Sequence, residues 1–308
     1  MVDLSYIQTY IDNFQRVPLL GYPIALIKRI MISVLKTGPL PSHIGLIMDG
    51  NRRYAKSKGL KLEDGHSAGA HSLAGILETC YRLNVTEITI YAFSIENFNR
   101  PKEEVDTLLG LLRDNIKHLQ SFDDSYVHKY KVRVKIIGNK SLIPEDILAD
   151  LTTVEERTTL PDYERILNIC FPYTSRDDIT NAVKGVSRSI ECHKICKEEV
   201  CEKTLSDHMY MGADTIPLDL LIRTSGHSRL SDFMLWQCTA NCKVKFIDTL
   251  WPNFKFLSLY GILLQWSFQK QTEENENKRV DEQAVVLKHV DLLALPRPPP
   301  FACVGQIS

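Results

Sequence analysis

The chain has no long hydrophobic run. No stretch of about eighteen apolar residues occurs, so nothing in it reads as a membrane-spanning helix. A basic stretch followed by an apolar block and a small-residue cleavage site is also missing from the start, so no secretory signal is expected. Charge of one sign is not in excess: 37 Lys and Arg face 38 Asp and Glu, for a net charge of −1. No global field therefore recruits nucleic acid, and an anion site must come from local clustering. The eight cysteines, Cys80, Cys170, Cys192, Cys196, Cys201, Cys238, Cys242 and Cys303, follow no disulfide-rich pattern and point to reduced thiols in a cytosolic setting. Cys192, His193, Cys196 and Cys201 lie close together, but their spacing matches no common C-x-x-C zinc arrangement. There is no internal repeat, and no Gly-x-Gly-x-x-Gly follows the first strand-like run, which argues against a dinucleotide site.

What remains, over 308 residues with 44% apolar content, is enough for one large α/β domain or two smaller ones. From His43 to about Gln269, strand-like and helical patterns alternate. Strands are expected at Ile44–Met48, Glu87–Phe93, Val132–Ile137, Ile166–Phe171, Leu218–Ile222 and Val244–Ile247. Helices are expected around 66–83, 102–120, 144–156, 174–190, 228–241 and 254–269. Such alternation implies a single α/β domain with a mostly parallel sheet covered by helices on both faces.

Two flanking segments differ from this core. In residues 1–40, Ile7, Tyr10, Ile11 and Phe14 share one helix face, and the apolar LLGYPIALIKRIMISVLK is interrupted by Lys28 and Arg29. That pattern fits a segment lying on a membrane surface, and equally one packed on a protein partner or on the domain itself. Beyond residue 270 the periodicity dissolves into QTEENENKRVDEQ and later PRPPP, so 271–308 reads as a largely flexible tail around the 41–270 domain.

The polar clusters recur where strands end. HIGLIMDGNRRY places Asp49, Gly50, Asn51, Arg52 and Arg53 between the first strand and a helix start. GHSAG opens a small-residue helix at Gly65 and His66. SIENFNRP supplies Ser94, Glu96, Asn97 and Arg100, and RTSGHSRLSDF supplies Arg223, Arg229, Ser231 and Asp232. In a parallel sheet the carboxyl ends of the strands share one edge, so these loops can converge. Arg52, Arg53, Arg100, Arg223 and Arg229 would then surround one acidic residue, Asp49. Guanidinium groups meet phosphate oxygens bidentately, so the set suits two diphosphates bridged by a divalent cation.

Taken together, HIGLIMDGNRRYAK, GHSAG, YAFSIENFNRPKEEVD, ICFPYTSR, LLIRTSGHSRLSDFMLWQ and LWPNF resemble the cis-prenyltransferase family over residues 40–270, in the family's order. The closer likeness is to the catalytic subunits of eukaryotic, fungal-type dehydrodolichyl diphosphate synthases. This resemblance implies elongation of farnesyl diphosphate by isopentenyl diphosphate units with cis double bonds. It also implies Mg²⁺, and a hydrophobic tunnel for the growing chain; Leu108, Leu109, Leu111 and Leu112 are candidates to line it, with ordinary core packing the reading favoured for any one of them. Asp49 matches the essential aspartate that works with Mg²⁺. Gly50, Asn51, Arg52, Arg53 and His66 match positions around the allylic diphosphate. Ser94 and Asn97 match a Ser-x-x-Asn pair, Asn97 being linked with proton removal. Arg100, Arg223, Arg229 and Ser231 match the isopentenyl diphosphate pocket.

Departures from single-subunit bacterial members are also eukaryotic in kind. Cys242 stands where they carry a second metal-associated glutamate, and Leu62 where they carry an arginine. The C-terminal Arg-x-Gly motif does not occur after residue 270. The resemblance therefore implies a non-catalytic, cis-prenyltransferase-like partner subunit that carries Arg-x-Gly. It further implies peripheral association with the cytoplasmic face of the endoplasmic reticulum or with lipid droplets. The paired DDxxD motifs of the all-helical trans-type synthases are missing, since Asp123-Asp124 and Asp177-Asp178 are followed by other residues.

Overall fold

A computed structural model describes residues 18–120 and 126–288. The chain enters through helix α1 (Pro18–Leu35) and reaches β1 (His43–Ile47), α2 (Asn51–Lys58) and α3 (Leu62–Arg82). β2 (Glu87–Tyr91) leads through a 3₁₀ turn at Ile95–Asn99 to α4 (Lys102–Gln120), and the short α5 (Tyr126–Lys129) precedes β3 (Val132–Ile137). Next come α6 (Glu145–Thr158), β4 (Arg165–Cys170), α7 (Ser175–Glu191), α8 (Glu202–Asp207), β5 (Leu220–Arg223), β6 (Lys243–Phe246) and α9 (Phe256–Lys288).

The six strands form one sheet in the order β3-β4-β2-β1-β5-β6, and every neighbouring pair is parallel. Strand sequence explains strand place. HIGLI and LLIR are buried at every position, as central strands covered on both faces require, whereas the lysine-bearing KVKF is mostly exposed at an edge. Alternate residues feed two cores. Ile44, Leu46, Ile88 and Ile90 join α3, α4, α6 and α9 through residues such as Leu77, Leu109, Leu151 and Leu263. Ile47 and Leu221 face the other way, toward Tyr173, Met211, Phe233 and Met234.

Near the amino ends of the strands, the second face holds a buried polar network. The Glu87 carboxylate accepts from Asn168 Nδ2 (2.5 Å), Thr215 Oγ1 (2.6 Å) and the Ile216 N–H (3.1 Å). The His43 ring bridges Thr89 Oγ1 (2.7 Å) and the Ile216 carbonyl (2.9 Å). This network anchors the segment leading into β5, and so sets the height at which β5 delivers its last residue beside β1.

Two elements differ from the sequence reading. Residues 228–241 are not a helix. Ser231, Asp232 and Met234 take φ of 51°, 60° and 48°, which breaks the right-handed ladder, and Phe233 and Met234 are fully buried. The last helix does not stop near 269 but continues through QTEENENKR to Lys288. Residues up to Ser267 form one compact unit and those from Phe268 a second. The apolar residues of α1 serve two purposes: Ile32 and Leu35 are buried in the domain core, while Leu26, Ile27, Ile30 and Val34 are exposed. The helix pattern at Ile7–Phe14, PRPPP and the final residues lie outside the described residues.

Asn168→Ala removes two donors from a fully buried cluster that includes a carboxylate, and is expected to lower unfolding stability by about 2–4 kcal/mol. Urea denaturation of the purified chain measures it; a loss below about 0.5 kcal/mol would contradict the anchoring role.

Candidate active site

The strand order reverses around β1: β2 lies on one side and β5 on the other, and the crevice at their carboxyl ends is where open α/β sheets bind ligands. Ile47 is in register with Arg223, the last residue of β5. Two residues past β1, Asp49 Oδ2 accepts from Arg223 Nη2 at 2.8 Å. The Arg223 side chain is only 4% exposed, against 32% for Asp49. Its Nη1 donates to Ser231 Oγ and to the Arg229 carbonyl, both at 2.6 Å, while its buried Nε finds no acceptor among the described residues. The Asp49 backbone is pinned as well: its N–H donates to Thr224 Oγ1 (3.0 Å), and its carbonyl accepts from Thr224 Oγ1–H (2.7 Å) and the Trp251 N–H (3.0 Å). A buried cation is thus aimed at a half-buried carboxylate on a rigid strand end.

Gly50 turns the chain with φ 114°, a conformation that favours glycine, and its Cβ position would lie 3.1 Å from the Leu250 Cα. Helix α2 then starts with no acidic residue in its first turn and no side-chain cap. Arg52 and Arg53 stand at this positive end of the helix dipole, where cations are unfavourable unless an anion joins them. Asn51 is packed against α3 at Gly69, where an added Cβ would come 2.5 Å from Asn51 Oδ1. That buried oxygen has no hydrogen-bond donor among the described residues.

The remaining cations take internal acceptors. Arg53 Nη2 donates to the Ser225 carbonyl (2.6 Å) and hydroxyl. Arg52 (3.3 Å) and Arg100 (2.9 Å) share Glu104 Oε1. The expectation of five arginines around one acidic residue is therefore corrected. Arg223 meets Asp49, Arg52 and Arg100 meet Glu104, and the Arg229 side chain is exposed while its carbonyl serves Arg223. His66 opens the third side: its Nε2 is buried without a partner among the described residues. Burial, followed by the Arg100 and Arg52 charges, pushes the imidazole below its ordinary value.

Ser94 and Asn97 form a reciprocal cap on the 3₁₀ turn after β2. The Ser94 N–H donates to Asn97 Oδ1 (3.0 Å), and the Glu96 N–H donates to Ser94 Oγ (3.2 Å). The turn is tied across the crevice by Arg176, which donates to Glu96 and to Asp232. Glu104, which the sequence shows only as an acidic residue in the first turn of a helix, Ser225 and Arg176 are not among the site residues read from the sequence. The Arg100–Glu104 spacing of four residues was a readable helix-pair signal, whereas the Ser225 and Arg176 contacts arise only in three dimensions.

Among the described residues no group of three or more His, Cys, Asp or Glu side chains is placed to hold a metal. Asp49 nonetheless suits a hard divalent cation. It offers one carboxylate at a partly open position beside cations that attract phosphate, and Mg²⁺ commonly takes one or two protein carboxylates with the rest of its ligands from water and substrate.

The chain matches the family model described as "Putative undecaprenyl diphosphate synthase" over residues 47–274. It is 44% identical over 260 residues to dehydrodolichyl diphosphate synthase complex subunit SRT1 of Saccharomyces cerevisiae, covering 82% of this chain and 74% of that one. It is 40% identical over 243 residues to the Homo sapiens complex subunit DHDDS, covering 79% and 72%. Among solved structures it resembles lavandulyl diphosphate synthase of Lavandula x intermedia in complex with dimethylallyl diphosphate. That match has a TM-score of 0.67 at 29% identity and covers 74% of this chain and 95% of that one.

Two expectations test the electrostatics. Glu104→Gln removes the internal competitor of Arg52 and Arg100, so inorganic diphosphate should bind about threefold to tenfold more tightly by calorimetry; unchanged or weaker binding would contradict this. The neutral imidazole of His66 contributes its full stability above pH 6.5, the ordinary value, and that contribution is lost as pH falls through its depressed value. Arg100→Ala should move the His66 titration upward in a histidine-resolved NMR experiment. An unmoved midpoint would exclude the arginine field as a cause.

Proposed function

The chain belongs to the cis-prenyltransferase family, and we propose that it is the catalytic subunit elongating farnesyl diphosphate with isopentenyl diphosphate to a long-chain, dehydrodolichyl-type polyprenyl diphosphate for dolichol and protein glycosylation. The relatives named dehydrodolichyl diphosphate synthase and polycis-undecaprenyl-diphosphate synthase support chain elongation by prenyl transfer. The observation that carries the reading is the Asp49–Arg223 pair at the strand-order reversal, within the region the family model matches.

In this reading Gly50, Asn51, Arg52, Arg53 and His66 receive the allylic diphosphate. The free N–H groups of α2 and the two guanidinium groups balance negative charge as the allylic C–O bond breaks, where pre-placed donors stabilise the transition state selectively. Arg223, Arg229, Ser231 and Arg100 hold the isopentenyl diphosphate. Asn97, fixed through Ser94, orients the groups involved in proton removal. Asp49 would hold Mg²⁺, which when bound shields the diphosphate oxygens as charge develops on them. A hydrophobic tunnel beside α4 would take the product, with half-buried Leu108, Leu111 and Leu112 and buried Leu109 as contributors.

Partner and location belong to the same reading. The yeast, fission yeast and human relatives are each named as a complex subunit, which supports a partner subunit, here taken to be non-catalytic, cis-prenyltransferase-like and the carrier of Arg-x-Gly. Among the described residues no helix is long and apolar enough to cross a membrane. The outward Leu26, Ile27, Ile30 and Val34 of α1 support residues 1–40 as a peripheral anchor, at the endoplasmic reticulum or a lipid droplet.

The test is incorporation of labelled isopentenyl diphosphate onto farnesyl diphosphate with Mg²⁺, with and without the partner, followed by product chain-length analysis. Long polyprenyl products are expected from the complex. The chain without its partner should fall about tenfold or more in kcat/KM, and Asp49→Asn in the complex about a hundredfold or more in turnover. No products from the complex would overturn the function. Equal kcat/KM in the two preparations would overturn the heteromer, and normal turnover of Asp49→Asn would overturn the role of Asp49.

A further inference from the structure

Ser231 and Asp232 are consecutive residues in the left-handed region, at φ 51° and 60°, and neither is glycine. Such a conformation persists only where surrounding contacts hold it. Here the contacts come from the start of α7 and from Tyr91. The Asp232 carbonyl accepts from the Ser175 N–H (2.8 Å), and Asp232 Oδ1 accepts from the Arg176 N–H (3.1 Å). The Tyr91 hydroxyl reaches the Ser231 carbonyl (3.2 Å). The Arg176 side chain adds a different kind of contact. Its Nε donates to Asp232 Oδ2 (2.7 Å) and its Nη2 to Glu96 Oε1 (2.9 Å), joining the loop that carries Ser231 to the turn capped by Ser94 and Asn97.

We propose that Arg176 is a positioning residue for prenyl transfer, fixing Ser231, and through it Arg223, relative to the Ser94–Asn97 turn by holding Asp232 and Glu96 at once. The inference rests on the reading that Arg223, Arg229 and Ser231 receive the isopentenyl diphosphate. Two observations separate this role from ordinary stabilisation. The Arg176 side chain is 72% exposed, and ion pairs of that exposure contribute little to folding. Asp232 meets the start of α7 through the backbone N–H groups of Ser175 and Arg176, and Thr174 Oγ1 caps the helix at the Asp177 N–H, so these contacts survive removal of the guanidinium. What the side chain uniquely supplies is the tie between two loops from different strands. Loss of that tie frees Ser231, the hydroxyl acceptor of Arg223 Nη1, to shift, and misplacement by about 1 Å is enough to weaken a positioned contact substantially.

The test uses Arg176→Ala, Arg176→Lys and Asp232→Asn in the full chain together with its partner subunit, read by steady-state kinetics and thermal melting. For Arg176→Ala the KM for isopentenyl diphosphate should rise about tenfold, with the KM for farnesyl diphosphate within about twofold and the melting temperature unchanged. Arg176→Lys, with one ammonium for two carboxylates, should recover only part of the loss. Asp232→Asn keeps the backbone acceptors and should fall between wild type and Arg176→Ala. Unchanged KM values, a fall in kcat alone, full recovery by lysine, or a joint rise of both KM values with a lower melting temperature would each overturn the proposal. Wild-type enzyme that binds neither diphosphate would instead overturn the functional reading on which it rests.

Discussion

A buried guanidinium must find acceptors for its donors or lose the solvation it gave up, and Arg223 at the end of β5 finds them for both of its Nη groups. Its partners are one carboxylate oxygen of Asp49, the Ser231 hydroxyl and the Arg229 carbonyl. These come from two separate places in the chain, so one side chain ties the end of β1 to the Arg229–Ser231 loop. The rest of the architecture serves that arrangement. The polar network around Glu87 and His43 sets β5 beside β1, the Thr224 hydroxyl and Trp251 N–H clamp the Asp49 backbone, and the burial of Phe233 and Met234 anchors the loop from below. A chemical site built this way is held by the fold and not by its ligand.

Charge is arranged in two tiers around the crevice. The inner tier is the buried Arg223 with Asp49, where electrostatic effects are strong because water is largely excluded. The outer tier is Arg52, Arg53 and Arg100, more exposed and paired with Glu104 or with Ser225. Exposed pairs of this kind are weak, so under the proposed function a diphosphate would displace them at small cost. Burial, and after it the field of the outer tier, hold the His66 imidazole below its ordinary pKa, which favours the form that adds no charge to the repulsion among the arginines.

Much of this was legible from residue order. The alternation of strands and helices carried the parallel sheet, and the clusters after Ile47, Tyr91 and Ile222 carried the location of the crevice, because parallel strands share a carboxyl edge. What escaped was set by contacts between distant segments. RLSDFMLWQ has the composition of a helix, yet the burial of Phe233 against Tyr91 and the capping of α7 by Asp232 override that local preference. The identity of each arginine's partner was likewise hidden, since only the folded chain brings Glu104 to Arg52 and Ser225 to Arg53. In α1 the pattern named an amphipathic helix but could not divide its apolar residues between Ile32 and Leu35, which enter the core, and Leu26, Ile27, Ile30 and Val34, which do not.

In the proposed function Asp49 and Arg223 form a pre-set unit in which the carboxylate takes the cation and the guanidinium takes the diphosphate. Calorimetric titration with inorganic diphosphate, with and without Mg²⁺, tests it in wild type, Asp49→Asn and Arg223→Leu. Mg²⁺ should strengthen binding in wild type by about tenfold or more, have little effect in Asp49→Asn, and leave Arg223→Leu weak in either condition. An undiminished Mg²⁺ effect in Asp49→Asn, or wild-type affinity in Arg223→Leu, would contradict it.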